Sequence, residues 1–123
     1  ACAKTAPAPA SPQAALVRRQ LEAYDAHDLE DFLATYSPNI ELFDLPDATK
    51  PTTAGLDAMR NTYGDLFTRL PKLRCNLGNR IVEGPFVIDH EICSIGGPDQ
   101  MRAVAIYHAE NGLIRRVWFA AAE

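Results

Sequence analysis

No apolar run in the sequence approaches the roughly 18 residues that a membrane-crossing helix requires, and no block of lysine and arginine appears along it. With 16 Asp and Glu against 12 Lys and Arg, the formal charge is −4, which argues against the basic stripe of a nucleic-acid-binding surface. Histidine is scarce. His27, His90 and His108 show neither Cys-x-x-Cys nor His-x-x-x-His spacing, so no metal site is expected. Nucleophile-elbow and P-loop glycine patterns are absent as well, as is any internal repeat. Cysteine is limited to three residues. A chain of 123 residues, 47% of them hydrophobic, buries about two-thirds of its unfolded surface without a disulfide framework. Cys75 and Cys93 fall in predicted strands and read as small buried hydrophobes with no chemistry of their own.

What is present divides into a tail and a domain. Residues 1–13, ACAKTAPAPASPQ, place Pro7, Pro9 and Pro12 among small side chains without a hydrophobic period, the composition of a flexible tether. Ala1-Cys2 ahead of a Pro/Ala stretch resembles what remains around the processing point of a bacterial lipoprotein. On that reading a lipid on Cys2 is the one contact with a membrane, and the cell envelope is the location. An arbitrary tail on a cytoplasmic protein is the competing reading.

Residues 14–123 form the domain. Leu16, Val17, Leu21 and Tyr24 recur at helical spacing and predict an amphipathic helix over 13–26. Asp28 is a suitable N-cap for a short helix reaching residue 36, with Glu30 and Asp31 in its first turn. A strand is expected over 39–45, a Pro/Thr/Asp loop over 46–54, and a third helix over 56–70 behind Gly55. Four strands follow, over 73–83, 85–95, 101–109 and 113–121, with Asn111-Gly112 the strongest hairpin signal. Helices first and antiparallel strands afterwards describe an α+β fold with helices packed on one face of a curved sheet.

Several polar residues fall on apolar strand faces. Ile40, Leu42 and Asp44 share a face, so an inward-facing strand would bury the Asp44 carboxylate and raise its pKa, as a general base requires. If instead the register breaks at Leu45-Pro46, Asp44 only caps the following loop. Ile88, His90 and Ile92 share a face in the same way, which makes His90 either a partner acid or a core histidine satisfied by one carbonyl. An inward Asp and an inward His in one small domain can share a cavity, the arrangement of an acid/base site. Tyr24 and Tyr63 lie on helix positions facing the sheet and are candidate donors to such a cavity. Arg102 shares its face with Val104 and Ile106 and is expected to snorkel to water.

Three phrases carry a family resemblance: YDAHDLEDFLATYSPNIELFD (24–44), GLDAMRNTY (55–63) and AIYHAENGLIRRVWF (105–119). In their order and spacing they resemble the nuclear-transport-factor-2-like superfamily, especially its ketosteroid-isomerase and SnoaL-like polyketide-cyclase members. The resemblance implies a cone, in which a curved antiparallel sheet wraps a long N-terminal helix and two further helices around a deep apolar pocket. It matches Asp44 to the aspartate that moves a proton between carbons of an enolisable ketone, and Tyr63 to a tyrosine supporting the oxyanion hole. Gln20 stands where the isomerases place their principal oxyanion tyrosine, and Val104 where they place a protonated aspartic acid. With Phe119, these residues are the expected pocket lining. The implied function is a cofactor-free isomerase or cyclase-like enzyme acting on a small hydrophobic carbonyl compound through an enolate, with Asp44 and His90 catalytic. The alternative is a non-catalytic ligand-binding or protein-association domain of the same fold. The resemblance also implies a homodimer, formed through an outer sheet face carrying Ile114, Trp118 and Tyr107.

Overall fold

The structure is a computed structural model that describes residues 11–121; the Cys2 lipid site and most of the tether lie outside the described residues. Helix α1 (Pro12–Asp25) starts where Ser11 accepts a hydrogen bond from the Ala14 amide at 2.9 Å and Pro12 occupies the first turn, where its missing N–H costs nothing. Its buried stripe is Leu16, Val17, Gln20 and Ala23, so a glutamine sits amid the apolar contacts. Helix α2 (Leu29–Leu33) is capped by Asp28, which accepts from the Asp31 amide at 3.1 Å. It stops short of the predicted residue 36 because Tyr36 opens strand β1 (Tyr36–Asp44). Gly55, at φ 87°, turns the chain from the two-residue strand β2 (Thr53–Ala54) into helix α3 (Leu56–Arg69), and its N–H donates to the Ile40 carbonyl at 2.8 Å. Strands β3 (Arg74–Glu83), β4 (Phe86–Ser94), β5 (Met101–Glu110) and β6 (Leu113–Ala121) complete the chain.

The six strands form one curved sheet in the order β2-β1-β6-β5-β4-β3. Every pairing is antiparallel except β1 with β6, which is parallel. This departs from the all-antiparallel expectation: everything between residues 45 and 112 is in effect a crossover, and the last strand returns beside the first in the same direction. Bulges interrupt β1 between Tyr36 and Glu41, and β3 between Leu77 and Arg80, the device by which a strand bends. The helices cover the inner face. Val17, Phe32, Ile40, Met59, Val87, Ile114 and Val117 are fully buried between the two layers. A cluster of tilted and edge-to-face rings, Tyr24, Phe32, Tyr63 and Phe67, fills one end of the core, with His27 stacked on Phe67 at 4.8 Å.

Candidate functional site

Between α1, α3 and the inner face of β3–β6 lies a cavity of about 160 Å³. Its wall is mostly rings and aliphatic groups: Tyr24, Tyr36, Tyr63, Tyr107, Phe119 and Leu66. The helix α1 residue Gln20 and the β4 residue Glu91 add further polar groups, and Glu91 is the one carboxylate among the lining side chains. A hydrogen-bonded chain crosses the cavity. Tyr36 donates from Oη to Gln20 Oε1 at 3.0 Å; Gln20 Nε2 donates to the Val17 carbonyl at 3.3 Å and more distantly to Tyr107 Oη at 3.5 Å; Tyr107 Oη donates to Glu91 Oε2 at 2.7 Å.

Burial pushes the Glu91 carboxyl up to about 7, against the pull of the Tyr107 hydrogen bond, which favours the ionised form. The nearby Asp89 charge adds to the rise and Arg80 opposes it. Burial also pushes all four tyrosine hydroxyls upward, so they remain neutral donors. Beneath Glu91, fully buried Asp89 is gripped by Arg80 across the hairpin, at 2.7 Å and 2.8 Å. Two nitrogens on two oxygens give the fork geometry peculiar to arginine.

The sequence-predicted residues divide into three groups. Gln20, Tyr24, Tyr63 and Phe119 line the cavity. The amide of Gln20 is committed to Tyr36, Val17 and Tyr107. Asp44 keeps the face of Ile40 and Leu42 but is exposed, because β1 ends there and Leu45 turns away to bond the Phe119 carbonyl. It is therefore not the buried base expected. His90 and Val104, register partners of one another, lie on the outer face of the sheet and do not reach the cavity. The face of β4 that meets the helices carries Val87, Asp89, Glu91 and Cys93, the opposite set from the one expected. The misreading has a physical cause. The inner face of β4 carries the ion pair and the cavity acid, so it is the less apolar of the two, and alternation by hydrophobicity points the wrong way. Tyr107 and Ile114, expected outside, are also inside: the bulge at His108/Ala109 lets β6 spend an extra residue between Ile114 and Arg116, so that Ile114 faces inward while Trp118, of the same parity, faces outward.

Glu91 is a cavity residue that the alternation of β4 does not single out. In sequence its one mark is that Asp89, on the same face, falls opposite Arg80 across the Glu83-Gly84-Pro85 turn, a pairing that makes a buried acid tolerable without saying which face the helices cover. The cysteines need correction too. Cys75 and Cys93 are directly opposite in register and joined by a disulfide, and both line the cavity. A regular hairpin from that turn would set Cys75 opposite Ser94. The bulge between Leu77 and Arg80 inserts the extra residue that brings the two cysteines together.

Comparison with known proteins agrees with this geometry. No curated protein matches the sequence. Among solved structures, an uncharacterized cystatin-fold protein from Novosphingobium aromaticivorans superposes with a TM-score of 0.78 at 19% identity, covering 90% of this chain and 98% of its own. A proposed ketosteroid isomerase from Kribbella flavida gives 0.76 at 17% identity, covering 91% and 78%. A proposed polyketide cyclase from Sinorhizobium meliloti gives 0.72 at 14%, covering 85% and 93%. At these identities the likeness is one of fold. The profile of the SnoaL-like domain matches residues 17–117, all of the cavity-lining elements except the start of α1 and the last four residues of β6. The chain belongs to the SnoaL-like family of the nuclear-transport-factor-2-like superfamily.

Proposed function

We propose that the protein is a cofactor-free acid/base enzyme of the isomerase or cyclase kind, acting through an enolate on a small hydrophobic carbonyl compound held against Glu91. The observation that carries this reading is a carboxyl poised near neutrality inside a cavity walled by rings and neutral phenols. A general acid/base works best when its pKa lies near the working pH, because one group can then both take and return a proton. In this scheme the Glu91 carboxylate removes the proton alpha to a carbonyl. The developing oxyanion is met by a hydroxyl of Tyr24 or Tyr63, and Glu91 returns the proton to a second carbon or to the product. Tyr107 positions Glu91, and Gln20 and Tyr36 position Tyr107. Asp44 and His90, the residues first expected to be catalytic, have no part in this scheme.

Size narrows the substrate. A cavity near 150 Å³ accepts benzene, so about 160 Å³ suits a single ring and is too small to enclose a steroid. Deuterium exchange alpha to the carbonyl of one-ring ketones, followed by NMR, tests the reading without knowledge of the natural substrate. The wild type should accelerate exchange, and Glu91→Gln should lose about 10²–10⁴ of that acceleration, while Asp44→Asn should retain it. Equal exchange by wild type and Glu91→Gln would overturn the assignment. Tight binding of phenols with no exchange by either would identify a receptor instead.

We further propose that a second copy of the chain covers the outer sheet face. Ile81, Ile88, Ile106, Trp118 and Phe43 are successive register partners on β3, β4, β5, β6 and β1, forming one apolar row across five strands. Ile81 is 60% exposed, Ile88, Ile106 and Trp118 are half-buried, and Phe43, stacked on Trp118 at 5.8 Å, is the buried end of the row. A continuous apolar row on a sheet face marks an association surface more strongly than scattered apolar residues do.

A further inference from the structure

The cavity wall carries a pair of sulfurs that acid/base chemistry does not use. Cys75 on β3 is 5% exposed, whereas Cys93 on β4 is only partly buried and lies two residues beyond Glu91 on the same face. The strands they join are held by other means. The β3–β4 ladder continues on both sides of the pair. The Cys75 amide donates to Asp25 Oδ1 at 2.8 Å, the Arg74 guanidinium donates to the Asp25 carbonyl, and His27 Nε2 lies 2.8 Å from the Leu73 carbonyl oxygen. Opening the sulfur–sulfur bond would therefore leave both cysteines facing each other across the cavity wall.

We propose that the Cys75–Cys93 disulfide is a thiol–disulfide exchange site inside the cavity, and that its reactant is a small apolar thiol bearing no carboxylate. The thiol sulfur, as it loses its proton, attacks the Sγ of Cys93, the less buried residue of the two. A bond forms between them, the Sγ–Sγ bond breaks, and Cys75 leaves as a thiolate that takes up the proton the incoming thiol has lost. A second thiol molecule then attacks the mixed disulfide, releasing the symmetrical disulfide of the reactant and leaving both cysteines as thiols. Two thiols are oxidised and one protein disulfide is reduced. Selectivity follows from the wall. A single ring fits among Tyr24, Tyr63, Leu66 and Phe119, whereas a tripeptide thiol such as glutathione exceeds the cavity and brings carboxylates toward Glu91 and Asp25.

The test uses the full chain, purified without reductant, and needs no ketone, so it stands apart from the fate of the isomerase reading. Opening by benzyl mercaptan and by glutathione is followed by acid quench, alkylation and peptide mass mapping, which separates Cys2 from the pair. Each rate is divided by that thiol's rate on an open-chain disulfide. The expected result is a normalised preference for benzyl mercaptan of about ten-fold or more, suppressed when a planar phenol occupies the cavity. A Cys75→Ser chain should form a one-to-one mixed disulfide at Cys93 with dibenzyl disulfide; if that variant does not fold, the wild-type comparison decides alone. Equal normalised rates, no protection by phenol, or a disulfide that opens only when the protein unfolds would each overturn the proposal and leave the bond a structural cross-link. Finding both cysteines as free thiols in air-equilibrated protein would overturn it as well.

Discussion

Glu91 is held in an environment that opposes its own charge, and this gives its titration a consequence for stability. Its carboxyl is raised from the ordinary 4.5 to about 7 in the folded protein. Between those values the folded protein keeps a proton that the unfolded chain has lost, so stability falls as pH rises through that window. Above it the full penalty, about 3 kcal/mol, is in force. Glu91→Gln removes the ionisable group while keeping the shape. Urea denaturation at pH 5 and pH 8 should show the variant gaining on wild type at the higher pH; a gap independent of pH would contradict the burial of this charge. Tyr107→Phe should act in the opposite sense on the site. It deletes the hydrogen bond that favours the carboxylate, so a carbon-13 NMR titration of Glu91 should find its midpoint above the wild-type value.

The hairpin β3–β4 is the element on which the cavity depends, because it carries Glu91, both bonded cysteines and the Arg80–Asp89 pair. Removing one partner of a buried pair leaves an uncompensated charge, which typically costs about 3–5 kcal/mol. Arg80→Ala should therefore lower the urea-derived stability by that order, and adding Asp89→Leu should recover most of it; a loss below about 1 kcal/mol would mean that Asp89 finds water instead. This hairpin is also where sequence reading and structure part company. The helices, their caps at Asp28 and Gly55 and the succession of the five longer strands along the chain were legible because hydrophobic period, capping residues and turn glycines all agreed, whereas short β2 and the parallel seating of β6 beside β1 were not. The face of β4 was not, since period 2 states which residues stand together but not which side the helices cover. The Arg80–Asp89 pair did not settle the side either, because the same cross-strand pair is ordinary on a solvated face. The disulfide depends on a bulge of one residue at Gly78-Asn79, which no local pattern announces. Asp44 was legible as to face and illegible as to depth, because burial depends on how far the helices extend over the strand's end.

At the scale of the molecule, the outer row of Ile81, Ile88, Ile106, Trp118 and Phe43 predicts concentration-dependent association. Sedimentation equilibrium at tens of micromolar should return a dimer for wild type and a monomer for Ile106→Glu, with the fold of the variant retained because that side chain points away from the core. A wild-type monomer at that concentration would remove the dimer from the reading. One further consequence lies in the strand order. Strand β6 is the sole bridge between β2-β1 on one side and β5-β4-β3 on the other, and of these six strands it is the last in chain order. Until it emerges, β1 has only two-residue β2 as a partner and the three-stranded meander has an open edge, so the cavity has no complete wall. Assembly of the site thus waits on the emergence of β6, when a single strand closes both edges at once.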